Sequence, residues 1–88
     1  HGQRDLMGIA DVRNAFAAAL GEHGQVSSAT KSIDRHDGTE YDRLEFKGTF
    51  VADSAPFTIK SDRIRPGGSL LEAARATAAE LLKQRGLT

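Results

Sequence analysis

Cysteine and tryptophan are absent from this chain of 88 residues, and tyrosine occurs only once. Without cysteine the protein can form neither disulfide bonds nor thiolate zinc sites, which fits a reducing compartment. Thiol nucleophiles are excluded for the same reason. No apolar run approaches the roughly 20 residues that a membrane span requires, and no signal peptide is apparent. We therefore expect a cytoplasmic protein with no membrane partner.

Net charge is absent as well. Twelve basic and twelve acidic residues cancel, and both signs are mixed along residues 31–65. This balance disfavours both a strong polyanion-binding surface and an acidic mimic of nucleic acid. No serine has an identifiable paired base, so we expect no catalytic residues and no cofactor, and we predict that the protein is not an enzyme.

The length predicts one domain over residues 1–88. So short a chain buries only about 60 to 65% of its unfolded surface and has no room for a second core. Residues 1–7 are expected to be a flexible leader or a cloning remnant, with Met7 a candidate native start.

The clearest pattern in the chain is a helix between Pro66 and Gly86. Ser69 and Glu72 have the spacing of a capping box at its start, and Gly86 can take the left-handed conformation that ends it. Its apolar side chains fall within roughly 120° of arc, and they are Leu70, Leu71, Ala74, Ala78, Leu81 and Leu82. Alanines in the middle of this stripe make a flat surface, which predicts close packing on a sheet.

A first helix is predicted from Gly8 to Glu22, with Gly24 as its stop. Its apolar residues recur at helical spacing: Ile9, Val12, Phe16, Ala19 and Leu20. His23 follows this stripe, where an imidazole near a helix C-terminus is a structural feature more often than a ligand.

Three strands are predicted between the helices. The first covers Gln25 to Arg35, and a bulge or a late start is needed because Val26 and Ala29 have opposite parity. Asp37 and Gly38 predict a tight hairpin turn with positive φ at both residues. The second strand runs from Glu40 to Ala52. The third begins at Pro56 and extends to Asp62.

These elements predict an α+β fold in the order α-β-β-β-α, with two helices on one face of a three-stranded antiparallel meander. The inward residues of the second and third strands are Leu44, Phe46, Phe50, Ala52, Phe57 and Ile59. Gly48 lies on the same face between two phenylalanines, where a missing side chain either admits an alanine of a helix or marks a bulge.

Two clusters are candidates for a functional site. Asp34, His36 and Asp37 place two carboxylates and an imidazole within four residues, but a solvated hairpin tip lacks the convergence that a metal site needs, so we predict no metal.

The second cluster surrounds the start of the last helix. Two arginines, a lysine and free amides there form an anion- or phosphate-binding candidate, namely Lys60, Arg63, Arg65, Gly67, Gly68 and Ser69. A helix cap with two solvated arginines is the alternative.

The order and lengths of the elements resemble the double-stranded-RNA-binding domain. In the last helix, that family's pattern matches at Ser69, Ala73, Ala78 and Leu82. The lysines that contact phosphates in the family correspond to Leu70, Leu71 and Ala74, which the helical stripe turns toward the core. The resemblance therefore implies the topology, while the residues that would grip RNA are missing.

The leading functional hypothesis is a binding module that works through protein-protein contacts. It would be an assembly, inhibitory or regulatory factor of the compact kind that bacteria and phages encode. The alternative is a nucleic-acid-binding domain that contacts phosphates through Lys47, Lys60, Arg63 and Arg65. A third hypothesis is self-association through exposed alanines, either Ala17 and Ala18 or Ala76 and Ala79.

The predicted core is testable by truncation. Phe46→Ala or Phe50→Ala should lower the free energy of unfolding by ~3 to 5 kcal/mol, because each removes a large inward-facing ring. A thermal melt left unchanged by either substitution would contradict the predicted phase of the second strand.

Overall fold

A computed structural model describes residues 8–88, so the predicted leader lies outside the described residues. Helix α1 comprises Ile9–Leu20, strand β1 Gly24–His36, strand β2 Thr39–Phe50, strand β3 Pro56–Lys60 and helix α2 Leu70–Gln84. The strands form one antiparallel sheet in the order β1-β2-β3. The predicted α+β class and the order α-β-β-β-α are confirmed.

The ends of α2 follow the predicted signals. The hydroxyl of Ser69 accepts a hydrogen bond from the N–H of Glu72 at 3.1 Å. At the other end Gly86 has a φ of 74°, and the N–H of Leu87 donates to the carbonyl of Leu82 at 2.8 Å. Local sequence therefore places both ends of this helix.

Helix α1 is shorter than predicted. It ends at Leu20 because Gly21 takes a φ of 59°, and a short 3-10 turn follows over Gly21–His23. Gly24, predicted as the stop, is instead the first residue of β1. The closer glycine ends the helix, since glycine adopts positive φ without steric cost.

The predicted bulge in β1 is present. Val26 pairs with Gly48 and Ser28 pairs with Lys47, so Ser27 is the extra residue. Its hydroxyl donates to the carbonyl of Lys47 at 3.1 Å. The bulge moves Val26 and Ala29 onto the same face of the sheet, which resolves their opposite parity in the sequence.

The hairpin between β1 and β2 turns at Asp37 and Gly38, whose φ values of 50° and 79° confirm the predicted turn. Strand β3 pairs with Glu45–Thr49 of β2, and the chain after it bridges β2 once more at Asp42, so the hairpin is a two-stranded arm from Asp42 outward. Ile33 lies on this arm and is 59% exposed. The helices do not reach far enough to cover it.

Two strand ends differ from the prediction. Strand β2 stops at Phe50, and Ala52 is exposed in the following turn rather than directed inward. Asp53 and Ala55 explain this, because the carboxylate of Asp53 accepts from the N–H of Ala55 at 3.1 Å and closes the turn. Strand β3 ends at Lys60, two residues before the predicted Asp62.

The core lies between the sheet and the two helices. The rings of Phe16 and Phe46 are stacked with centroids 3.9 Å apart, and Phe57 is tilted against Phe16 at 6.2 Å. The predicted inward residues Leu44, Phe46, Phe50 and Phe57 are buried, and Ile59 is half-buried against them. Helix α1 contributes Val12, Phe16 and Leu20, whereas Ile9 and Ala19 of its predicted stripe are exposed.

Gly48 lies at a close approach within the sheet. A Cβ at this position would lie 2.0 Å from the carbonyl oxygen of Gln25 and 2.7 Å from Cζ of Phe57. The missing side chain therefore admits the backbone of β1 beside the bulge and the ring of Phe57. The predicted alternative, in which Gly48 makes room for an alanine of a helix, is wrong.

Replacing this glycine tests the packing. Gly48→Ala should lower the free energy of unfolding by more than about 3 kcal/mol, because the new methyl group overlaps backbone that cannot move away without breaking the β1–β2 pairing. Gly67→Ala is the matched control. Its Cβ enters open space at a φ of 81°, so only the backbone cost of about 1 to 2 kcal/mol is expected. Equal urea midpoints for the two variants would contradict the close approach at Gly48.

Candidate functional site

A carboxylate and two arginines meet on the face of the sheet opposite the helices. Nε of Arg63 donates to Oδ2 of Asp34 at 2.9 Å, and Nη1 of Arg43 donates to the same oxygen at 3.2 Å. The Asp34 side chain is only 26% exposed. We call Asp34, Arg43 and Arg63 the arginine clasp, because it joins β1, β2 and the segment after β3.

Arg43 and Ser61 anchor this clasp to the sheet. Nε of Arg43 donates to the carbonyl of Ser61 at 3.0 Å. The buried hydroxyl of Ser61 accepts from the N–H of Leu44 at 2.9 Å and donates to the carbonyl of Asp62 at 2.8 Å. Where β3 leaves the sheet, the Ser61 hydroxyl thus replaces a backbone carbonyl as the acceptor for the N–H of Leu44. The pairing resumes between Asp42 and Ile64.

The electrostatics of the clasp favour an ionised Asp34. Partial desolvation raises the pKa of this carboxyl, but the hydrogen bonds and charges of Arg63 and Arg43 outweigh it and hold the pKa below the ordinary value of 3.8. Arg63 therefore has a carboxylate partner within the protein. One of the two arginines predicted to bind an external anion is engaged in an internal ion pair.

The other residues of the anion-binding candidate are divided between two places. Arg65 and Lys60 form no ion pair among the described residues and line an open groove. Gly67 and Gly68 belong to a turn that includes Pro66, in which the N–H of Gly68 donates to the carbonyl of Arg65 at 2.8 Å. The hydroxyl of Ser69 is used by its own helix. The three basic side chains line a common groove that these turn and cap residues do not line.

The hairpin tip holds the other predicted cluster. Nε2 of His36 lies 3.3 Å from a carboxylate oxygen of Asp37. Asp34 contacts the two arginines instead of joining them. Over residues 8–88, no group of three or more histidine, aspartate or glutamate side chains converges in a way that could hold a metal ion.

The groove lined by Lys60 and Arg65 lies between β3, the loop that follows it and α2, and has a volume of about 880 Å³. Ile59 and Ile64 contribute its apolar side on the sheet, and Ala73 and Ala76 contribute its wall on α2. We call this the β3–α2 groove. Its volume is within the range of about 300 to 1,000 Å³ that is usual for ligand sites.

A smaller depression of about 420 Å³ lies at the other end of the sheet. The guanidinium of Arg85 sits 4.0 Å from the centroid of the Phe50 ring and is paired with Asp53. The N–H of Ala55, and then Arg85, hold the pKa of Asp53 below its ordinary value despite partial desolvation. This arrangement fastens the end of α2 to the β2–β3 turn.

Sequence reasoning did not find the arginine clasp or the β3–α2 groove. Asp34 and Arg63 are 29 residues apart, and no local signal relates them. The one sequence signal for the groove is the pair of small residues Ala73 and Ala76, because their short side chains leave space on that side of α2.

The positions that carry lysine in the double-stranded-RNA-binding domain lie against the core. Ala74 is fully buried, and Leu70 and Leu71 are half-buried and packed on the core cluster. The prediction that these positions face inward is confirmed.

A scan against protein-family models finds no match, and searches of curated proteins and of solved structures find no significant match. The α-β-β-β-α layout is compatible with the topology of the double-stranded-RNA-binding domain, but no family match confirms the resemblance. Among residues 8–88, no helix is long and apolar enough to cross a membrane.

The clasp predicts an acid-dependent part of the stability. Because the pKa of Asp34 is lower in the folded state than in the unfolded state, its contribution is present above about pH 4 and is lost as the pH falls through the folded pKa. Asp34→Asn should therefore be less stable than the wild type at pH 7, and the difference should shrink below about pH 4. Urea unfolding at a series of pH values measures this difference in the free energy of unfolding.

Asp62→Asn is the control for this experiment, since Asp62 is exposed and forms no ion pair within residues 8–88. Its pH profile should follow that of the wild type. A stability difference for Asp34→Asn that is constant from pH 7 to about pH 2 would contradict the clasp.

Proposed function

We propose that this chain is a small non-enzymatic module that acts in the cytoplasm by binding another protein. The observation that carries the proposal is how the basic residues are paired and which helix positions are buried. Arg43 and Arg63 are paired with Asp34, and the helix positions that would present lysines are in the core. The β3–α2 groove is accessible, with apolar sides and charged rims.

Surface charge supports a protein partner over a polyanion. The face of the sheet opposite the helices alternates in sign, since Lys47 and Arg43 on β2 are separated by Glu45. A phosphate backbone requires a continuous run of unpaired positive charge. Mixed charge around an apolar centre is instead the usual composition of a protein interface.

The second candidate is nucleic-acid binding near the start of α2. Arg65 and Lys60 favour it, because both are exposed and neither forms an ion pair among the described residues. Self-association is the third candidate, and the exposed Ala76 and Ala79 of α2 leave room for it.

A pull-down from source cells, with and without nuclease, separates these candidates. We expect a protein to be captured in both conditions, and the purified partner to bind with an affinity that changes only a few-fold between about 0.1 M and 0.4 M salt. Nucleic acid held by about three phosphate contacts would instead lose about 40-fold in affinity over this range.

Arg65→Glu provides the matched variant for nucleic-acid binding, with Arg75→Glu on the exposed side of α2 as its control. Arg63→Glu is unsuitable, because it would place a second carboxylate beside Asp34. Capture that disappears after nuclease treatment, together with a steep salt dependence, would overturn the proposal. Dimers at micromolar concentration in sedimentation, without any other partner, would favour self-association.

A further inference from the structure

Among residues 8–88, strand β3 has one edge without a partner strand. The sheet order β1-β2-β3 places it at the border. The N–H of Ser61 donates to Leu44 at 2.8 Å, and the carbonyl of Ala55 accepts from Phe50 at 2.8 Å. In an antiparallel pair the hydrogen-bonding direction alternates, so Thr58 and Lys60 direct their N–H and carbonyl groups away from β2. These residues offer up to four backbone hydrogen bonds at the outer edge.

The β3–α2 groove runs beside this edge. Its sides near β3 are Ile59 and Ile64, and its opposite wall carries Ala73 and Ala76. Small side chains on the wall leave space for a further backbone. The hydroxyl of Thr77 already donates to the carbonyl of Ala73 at 2.7 Å, so this hydroxyl needs no hydrogen-bond acceptor from a ligand. An extended segment can therefore hydrogen-bond to β3 while its alternate side chains enter the groove.

The groove is polarised along its length. Arg63 and Arg65 lie at one end, together with Ala73 of the first turn of α2, where the helix dipole adds positive potential. At the other end are Glu80 and Gln84, whose side chains are 3.3 Å apart and hydrogen-bonded. Arg63 is engaged by Asp34, so Arg65 and Lys60 are the cations of the groove that have no ion pair among the described residues, and Arg65 is the one that follows Ile64 toward α2. A complementary segment carries an acidic residue at the end that lies beside Arg65.

We infer that β3 accepts an extended segment of a partner protein as a fourth strand, with an acidic side chain of that segment paired to Arg65. This inference rests on the proposed protein-binding function and names the recognition mode. Pro56 and the clasp limit the contact at the two ends, since Pro56 has no N–H and the chain turns away after Lys60. The main-chain contact is short, so the side chains in the groove must supply the selectivity.

Peptide selection tests the recognition mode directly. The probe is a displayed library of random peptides of about 12 residues, selected against the full chain, and the enriched peptides are then synthesised and measured by fluorescence anisotropy. We expect micromolar binders that share an acidic residue. Ala76→Trp, which fills the groove from its wall, should weaken them at least about tenfold. Ala79→Trp, at another exposed alanine of α2 that does not line the groove, should leave their affinity unchanged.

One single variant and one further pair of variants separate the backbone and charge contributions. Thr58→Pro removes an outward N–H without removing a hydrogen bond to β2, and it should also weaken the peptides at least about tenfold. Arg65→Glu should weaken acidic peptides at least about fivefold, and Arg75→Glu should not. Circular dichroism melts establish that each variant is folded. If Thr58→Pro fails to fold, the Ala76→Trp and Ala79→Trp comparison still decides.

Several results would overturn the inference. One is a library that yields no binder, and another is a set of peptides that bind Ala76→Trp as tightly as the wild type. A dimer that Ala76→Trp dissociates would assign the edge to a second copy of this chain. If a cellular partner protein binds the Ala76→Trp and Thr58→Pro variants as it binds the wild type, the protein-binding function is supported. Binding through a fourth strand at β3 is then contradicted. Nuclease-sensitive capture would remove the proposed function itself.

Discussion

The architecture depends on a one-residue bulge at Ser27, opposite the glycine of the central strand. Gly48 admits the carbonyl of Gln25 where any side chain would collide with it, and the bulge shifts the parity of β1 from Ser28 onward. Val26 before the bulge and Ala29 after it then face the helices together. A regular strand would bury one of them and expose the other, and Asp34 would lie on the opposite face.

The position of Asp34 decides what the exposed sheet face can bind. On that face its carboxylate accepts hydrogen bonds from Arg43 and Arg63, so two positive charges share one negative charge within the protein. The clasp also ties the two-stranded arm to the segment before α2. An exposed ion pair alone contributes little to stability, but a shared carboxylate between two arginines fixes the relative positions of three segments. The groove beside β3 is left with Arg65 and Lys60, which form no ion pair within residues 8–88.

Local patterns predicted the elements well because their signals are local. Ser69 and Gly86 mark the ends of α2, and the alternation around Phe46 gives the phase of β2, all within a few residues of sequence. The strand ends at Ala52 and Asp62 were wrong, because the Asp53 turn and the Ser61 hydroxyl replace the expected ladder bonds. Each of these replacement hydrogen bonds depends on a side chain whose role is visible only in the folded chain.

The candidate site was less predictable than the fold. Lys60, Arg63 and Arg65 were identified as a basic cluster, yet the partner of Arg63 lies 29 residues earlier and on another strand. The groove is formed by β3 and α2, which are joined by a loop whose path no local pattern specifies. Periodicity assigns residues to faces. It does not measure the space between two elements, and that space is what a ligand would occupy.

Hydrogen exchange in the free protein at low concentration tests the central claim most directly, namely that β3 offers an open edge beside α2. The amide of Ile59 faces β2, whereas the amides of Thr58 and Lys60 face outward. We predict that Ile59 exchanges at least about 100-fold more slowly than either neighbour, because only its N–H is held in the ladder. Equal protection of all three amides would contradict the account, since it would mean that the edge of β3 is already covered.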